Sequence, residues 1–241
     1  MVRAQLREVE APGTGKTQTR RLATANNLFL DGWPIGRNPV VGKSNRWIFD
    51  ALDWSQAWID SGPSPMGNPG PYWHVPCTHP DAGETVHRLY PKWQRGDRLW
   101  VKETWTHTGT GVWTINDARQ GARDGRVSYA ADGLIAGAKY WPSIFLPREF
   151  SRLTLTVTDV RLQRLWSIVE ADAIAEGIER VGGGRYWLGC SGTVPCESPI
   201  GAFNLLWQKI NGVPSWQANP WVIALTFAVE RQNIDALAKA A

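Results

Sequence analysis

Three cysteines, Cys77, Cys190 and Cys196, are all that 241 residues contain. An odd number cannot pair completely, and so few fit reduced thiols better than a disulfide framework. Long apolar runs are missing too: no stretch approaches the ~20 residues that a membrane-crossing helix needs. The opening Met1-Val2-Arg3-Ala4-Gln5 lacks the apolar segment of a signal peptide. No membrane partner is therefore expected, and the cytoplasm is the expected compartment. The chain carries no internal repeat, and its charge excess is modest at +4.

What the chain has is a hydrophobic content of 43%, enough for a real core, and 15 tryptophans. With a pI near 9.1, aromatic faces beside arginines would suit bases stacked on indoles and guanidiniums on phosphates. Tryptophan is equally a large core residue, and +4 is small for a nucleic-acid binder. Charge alone does not assign a nucleic-acid partner.

The densest chemistry lies in Gly15-Lys16-Thr17-Gln18-Thr19-Arg20-Arg21. Gly-Lys-Thr ends the phosphate-binding pattern G-x-x-x-x-G-K-[ST], but the first glycine of that pattern would fall on Glu10. A carboxylate there would repel phosphate, and the polar stretch Arg3 to Glu10 is not the buried strand that should lead into such a loop. A solvated basic turn and a small catalytic station both remain open for this cluster.

Residues 22–95 are rich in Gly, Pro, Asn and Trp and read as a long loop-rich insertion. Gly96-Asp97 then feeds Arg98-Leu99-Trp100-Val101-Lys102-Glu103-Thr104-Trp105, expected as a strand with Glu103 and Trp105 on one face. Leu153 to Thr158 alternates apolar residues and threonines as a half-buried strand does. Ser167-Ile168-Val169-Glu170 matches a capping box that would open a helix ending near Glu176, at Gly177. Residues 178–200 read as a second insertion. Ala202 to Ile210 places Phe203, Leu206, Trp207 and Ile210 at helical spacing on one face, closed by Asn211-Gly212. Trp221, Ile223, Leu225, Phe227 and Val229 alternate along the clearest strand. Strand, strand, helix, helix, strand without βαβ alternation predicts a small mixed barrel or α+β domain. The expected organisation is one domain over 1–241, with insertions at about 22–95 and 178–200 and a short helical tail at 231–241.

Four segments together resemble the ASCH-domain proteins of phages and prophages. They are the Gly-Lys-Thr-Gln-Thr-Arg-Arg run, Gly96 to Trp105, Ser151 to Leu155 with Asp172-Ala173-Ile174-Ala175-Glu176-Gly177, and Asn219-Pro220-Trp221-Val222. The resemblance covers about residues 1–21, 89–105, 141–178 and 203–230. It implies a PUA-like fold, a small mixed β-barrel with flanking helices, and says much less about activity.

Small bacterial ASCH enzymes hydrolyse N(4)-acetylcytidine with a lysine and a threonine of a Lys-Thr-x-Thr segment and a glutamate after the long strand. The resemblance carries these roles to Lys16, Thr19 and Glu176. A threonine hydroxyl needs a neighbouring base, a lysine serves only if its pKa falls, and a carboxylate can pass a proton to the leaving amine. Acyl transfer to threonine and direct water attack are both open. Thr17 and Thr19 would share a face of an extended segment, so spacing does not choose between them; Thr17, Arg20, Arg21, Glu103 and Trp105 are the candidate substrate contacts. Glu103 and Trp105 read equally as a cross-strand salt bridge and a packed indole.

His74, Cys77, His79, His87, Cys190 and Cys196 cluster in the two insertions, but Cys77-x-His79 and Cys190-x₅-Cys196 fit zinc spacing poorly, and no metal or other cofactor is expected. The expected partner is a modified cytidine nucleoside or similar small ligand. The alternative from another class is a non-catalytic module that binds RNA or modified DNA; a phage structural or host-takeover protein is a third reading.

Overall fold

The computed structural model describes residues 2–31, 50–79, 83–107, 114–125, 127–181, 185–187 and 196–240. Its helices are α1 (Val2–Glu10), α2 (Ile115–Arg123), α3 (Glu170–Ala175), α4 (Pro199–Asn211), α5 (Val213–Gln217) and α6 (Ile234–Ala240). The strands of the first half are β1 (Gln18–Leu22), β2 (Leu28–Leu30), β3 (Trp58–Asp60), β4 (Tyr72–His79), β5 (Gly83–Pro91), β6 (Arg98–Trp100) and β7 (Trp105–His107). Those of the second are β8 (Val127–Tyr129), β9 (Thr154–Arg164), β10 (Glu179–Val181), β11 (Arg185–Trp187) and β12 (Trp221–Glu230). The fold is mixed α+β, and the registers given for its sheets are antiparallel. Among the described residues no helix is long and apolar enough to cross a membrane.

The chain divides into two compact units. Met1–Thr17, Gly96–Thr156 and Phe227–Ala241 form the first, and Gln18–Arg95 with Val157–Thr226 the second. In sheet order β1-β12-β9-β6, the long strands β12 and β9 have residues in both units.

In the first unit, the loop after α1 folds back onto the helix. The Lys16 amide donates to the Ala4 carbonyl at 2.9 Å, and the amides of Gly13 and Gly15 donate to the Glu8 carboxylate at 2.9–3.0 Å. A Cβ on Gly15 would stand 2.3 Å from the Ala4 oxygen and the Glu8 amide nitrogen, so only glycine fits this approach. A helix, not a strand, precedes the Gly-Lys-Thr run. The loop's amides are taken by the protein's own carboxylate, Glu8, and not left for a phosphate.

The expected single strand from Gly96 to Trp105 is two short ones. β6 pairs with β9, β7 pairs with β8, and Glu103 lies in the irregular link between them. The shared face expected for Glu103 and Trp105 is therefore not one strand's face. The break follows from competing partners: the Val101 amide follows Leu153, whereas the Trp105 amide turns to the Trp141 carbonyl. Trp105, Ala118, Ala122, Tyr129 and Leu146 make this unit's buried cluster. The stretch 231–241 carries α6.

The second unit corrects the reading of 22–95 as loop. It holds a four-stranded sheet in the order β2-β5-β4-β3, in which Trp73, Val75 and Cys77 of β4 are buried beside Leu89 and Tyr90 of β5. The Gly/Pro density belongs to the connections and hides a long β4–β5 hairpin that alternates apolar and polar residues. Within 178–200, β10 and β11 form a two-stranded ribbon.

β1 pairs with β12, Gln18 opposite Thr226, Arg20 opposite Ala224 and Leu22 opposite Val222. Helices cover that face: Leu165, Ile168, Ala173, Ile178, Ala202, Phe203, Trp207 and Val222 form one buried cluster, with Leu22 and Trp216 packed against it. α4 begins on Ser198, whose hydroxyl accepts from the Gly201 amide at 3.0 Å, with Pro199 in the first turn. Phe203 and Trp207 are buried as expected, but Ile210 is 57% exposed: the apolar stripe outlasts the surface that covers it. α3 also starts later than expected. Its N-cap is Val169 and Ser167 ends a 3₁₀ turn, because burial of Leu165 and Ile168 commits that segment to the core before the helix opens.

Candidate functional site

The end of α3 fixes one candidate side chain by local rules. Gly177 has φ +94°, the Gly177 amide donates to the Ile174 carbonyl at 2.8 Å, and the Ile178 amide to the Ala173 carbonyl at 3.4 Å. This is the Schellman closure, sealed by Ile178 and Ala173 in the hydrophobic cluster. Glu176 is the C-cap residue, and Asp172 lies four residues earlier on the same helical face. A carboxylate at a helix C-terminus opposes the macrodipole, so Glu176 needs a cation.

β1 supplies it. Strand alternation places Gln18 and Arg20 on one face, both buried. Arg20 Nη2 donates to Asp172 Oδ2 at 2.7 Å, and Nη1 donates to Gln18 Oε1 at 2.7 Å and to Glu176 Oε1 at 3.3 Å. The Gln18 amide nitrogen donates in turn to Asp172 Oδ1 at 3.2 Å and to the Thr226 hydroxyl at 3.3 Å. Arg161 Nη2 of β9 closes the cluster on Asp172 Oδ1 at 2.7 Å, and the Arg20 guanidinium lies 5.7 Å from the Phe203 ring centre. The side chains of Arg20, Glu176 and Asp172 are 0%, 5% and 9% exposed, that of Arg161 40%. Two cations thus face two carboxylates, one cation reaching solvent.

Burial lowers the pKa of Arg20 against the opposing pull of Glu176 and Asp172, and a guanidinium retains its proton regardless. Burial pushes Asp172 up, but the Arg161 hydrogen bond and the Arg20 charge outweigh it and hold the carboxyl below its ordinary value. The Arg20 Nε–H is buried without a hydrogen-bond partner among the described residues, so one donor of the cluster is unused. Chemically, the arrangement holds a carboxylate ionised out of water beside that donor. Such a group can accept a proton or grip an amine.

The second arginine-centred cluster lies in the first unit. Arg152 donates through Nε and Nη2 to Glu103 at 3.0 and 2.9 Å, and through Nη1 and Nη2 to Asp132 at 2.7 and 2.8 Å. Its guanidinium lies 4.1 Å from the Tyr129 ring centre.

Compared with known proteins, the chain matches no family model, no curated protein and no solved structure.

The candidate residues are distributed as follows. Glu176 and Arg20 are brought together. Thr19 and Arg21 fall on the opposite face of β1 from Arg20, with Thr19 opposite Leu225 in the ladder. Lys16 and Thr17 belong to the first unit, where Lys16 is buried and Thr17 part-buried. Glu103 pairs with Arg152, and Trp105 is fully buried in the first unit's cluster, the salt-bridge and packed-indole alternative of the sequence reading. Among the described residues no three His, Cys, Asp or Glu side chains gather to hold a metal; Cys190 lies outside them. Gln18, Arg161 and Asp172 escaped the sequence reading. The i,i+2 pair Gln18/Arg20 and the i,i+4 pair Asp172/Glu176 were the signals that could have found them.

Proposed function

We propose that the chain is an ASCH-type, PUA-like hydrolase that removes the acyl group from an N(4)-acylated cytosine nucleoside, with Glu176 as its proton-handling carboxylate. The observation that carries the reading is the Glu176 carboxylate, 5% exposed, capping a helix against its dipole and paired with Arg20 at 3.3 Å. The resemblance assigns the same residue to catalysis.

Water is the nucleophile this reading favours, because Thr19 alternates away from the Arg20 face. Glu176 takes a proton as water adds to the acyl carbon and a C–O bond forms. The C–N4 bond then breaks, the proton passes to the departing N4, and a carboxylic acid and the cytosine nucleoside leave. Lys16 and Thr19 remain the resemblance's other candidates and are tested one by one.

The purified protein is incubated with N(4)-acetylcytidine and longer N(4)-acylcytidines while cytidine release is followed by absorbance. Release is expected from the wild type and lost about 10²-fold or more in Glu176→Gln; Lys16→Ala and Thr19→Ala show which of the other two belongs. No release from folded wild-type protein overturns the reading.

A second reading, a module that binds nucleic acid without chemistry, is favoured by the first unit. There the exposed Lys102 and Lys139 lie 5.0 and 4.2 Å from the ring centres of the part-exposed Trp100 and Trp141. Cations on indoles suit single strands. Salt-dependent binding of oligonucleotides, weakened by Lys102→Ala and Lys139→Ala, would establish it.

A further inference from the structure

A cleft of about 280 Å³ in the second unit is lined by Tyr90, Trp93, Arg95 and Asp159 together with Pro71 and Pro91. Its size is close to the lower end of small-molecule sites. Tyr90 ends β5 and is 2% exposed, yet its hydroxyl is buried with no hydrogen-bond partner. Buried polar groups are normally paired, so an unpaired one lining a cleft points to a missing acceptor. Burial pushes the phenol up to about 12, so it stays a donor. The prolines and the part-exposed Trp93 offer flat apolar walls, and Arg95 is exposed at the rim. On the other side the alternation of β9 breaks at Thr158 and Asp159, both exposed. Asp159 Oδ2 lies 3.6 Å from Arg161 Nε, the arginine whose Nη2 holds Asp172. Cleft and buried cluster therefore share Arg161.

We infer that this cleft binds a mononucleotide. The base would be the flat part against Trp93 and the prolines, with a carbonyl or ring nitrogen accepting from the Tyr90 hydroxyl. Asp159 would accept from an exocyclic amine, and Arg95 would meet the phosphate. A peptide or sugar phosphate lacks one of these: the former has no phosphate for Arg95, the latter no planar face for Trp93. The inference does not depend on hydrolysis by Glu176.

Calorimetric titration with cytidine 5′-monophosphate, adenosine 5′-monophosphate, ribose 5-phosphate and a proline-rich peptide tests it. At least one nucleotide is expected to bind, and ribose 5-phosphate and the peptide are not. Tyr90→Phe removes only an unpartnered hydroxyl, so the variant should fold as the wild type does while losing about tenfold in affinity. Trp93→Ala is expected to lose about tenfold or more, and Arg95→Ala to abolish the preference for nucleotide over nucleoside. The inference is overturned if no nucleotide binds, if ribose 5-phosphate or the peptide binds as well, or if Tyr90→Phe and Trp93→Ala both leave affinity unchanged. Nucleotide binding without hydrolysis of any acylcytidine would leave it standing and overturn the proposed reaction alone.

Discussion

Arg152 and Arg20 each gather two carboxylates, and they do so in opposite ways. Arg152 meets Glu103 and Asp132 through paired hydrogen bonds and is backed by the Tyr129 ring. Asp132 is half exposed, so the cluster opens to water. Arg20 is wholly enclosed, shares its bonds among a glutamine and two acids, and keeps a buried Nε–H without a partner. The first geometry uses its donors in matched pairs, as a structural brace does. The second keeps a donor unused in a low-dielectric setting, a destabilising feature that folds retain where function needs it.

The largest effect separating the two is on stability. Arg152→Met strands Glu103, 1% exposed, and is expected to cost about 3–5 kcal/mol in urea unfolding. Arg20→Met is expected to cost about 2–3 kcal/mol, because Asp172 retains Arg161 and Gln18. A larger loss for Arg20→Met would show that the enclosed cluster is the brace.

Next in size is Gly15→Ala, which drives a methyl into the Ala4 carbonyl and the Glu8 amide. It is expected to cost about 1–3 kcal/mol and to lower the melting temperature. Unchanged stability would break the claim that Glu8 has taken the loop's amides.

pH sharpens the comparison further. The folded pKa of Asp172 lies below its unfolded value, so its contribution is complete above about pH 4 and is lost as pH falls through the folded value. Tyr129 is raised to about 12 by burial. Its contribution is complete below the unfolded value near 10 and is lost as pH rises to about 12. Acid titration of stability should therefore shift in Asp172→Asn, and alkaline titration in Tyr129→Phe. The smallest effect is that of Tyr129→Phe at neutral pH, about 1 kcal/mol for the lost hydrogen bond to the Phe150 carbonyl.

Much of the α+β skeleton was legible in the sequence. Trp221 to Glu230 alternates cleanly, Gly177 stops α3 and Asn211-Gly212 stops α4, because period and backbone chemistry are local. The second unit's sheet was not legible, since Gly and Pro in its connections outweigh the alternation of Trp73, Val75 and Cys77. At the site, Glu176 and Arg20 were nameable one by one. Their pairing spans 156 residues, and nothing local encodes it. Thr19 shows the limit most plainly: residue type made it a candidate, and strand parity puts it on the face away from Arg20.

The most direct test compares N(4)-acetylcytidine hydrolysis by the wild type, Glu176→Gln and Glu103→Gln, each corrected for its folded fraction. The account expects release by the wild type, a loss of about 10²-fold or more in Glu176→Gln, and wild-type turnover per folded molecule in Glu103→Gln despite its lower stability. Equal turnover in the wild type and Glu176→Gln, or no turnover in any of the three, would contradict it.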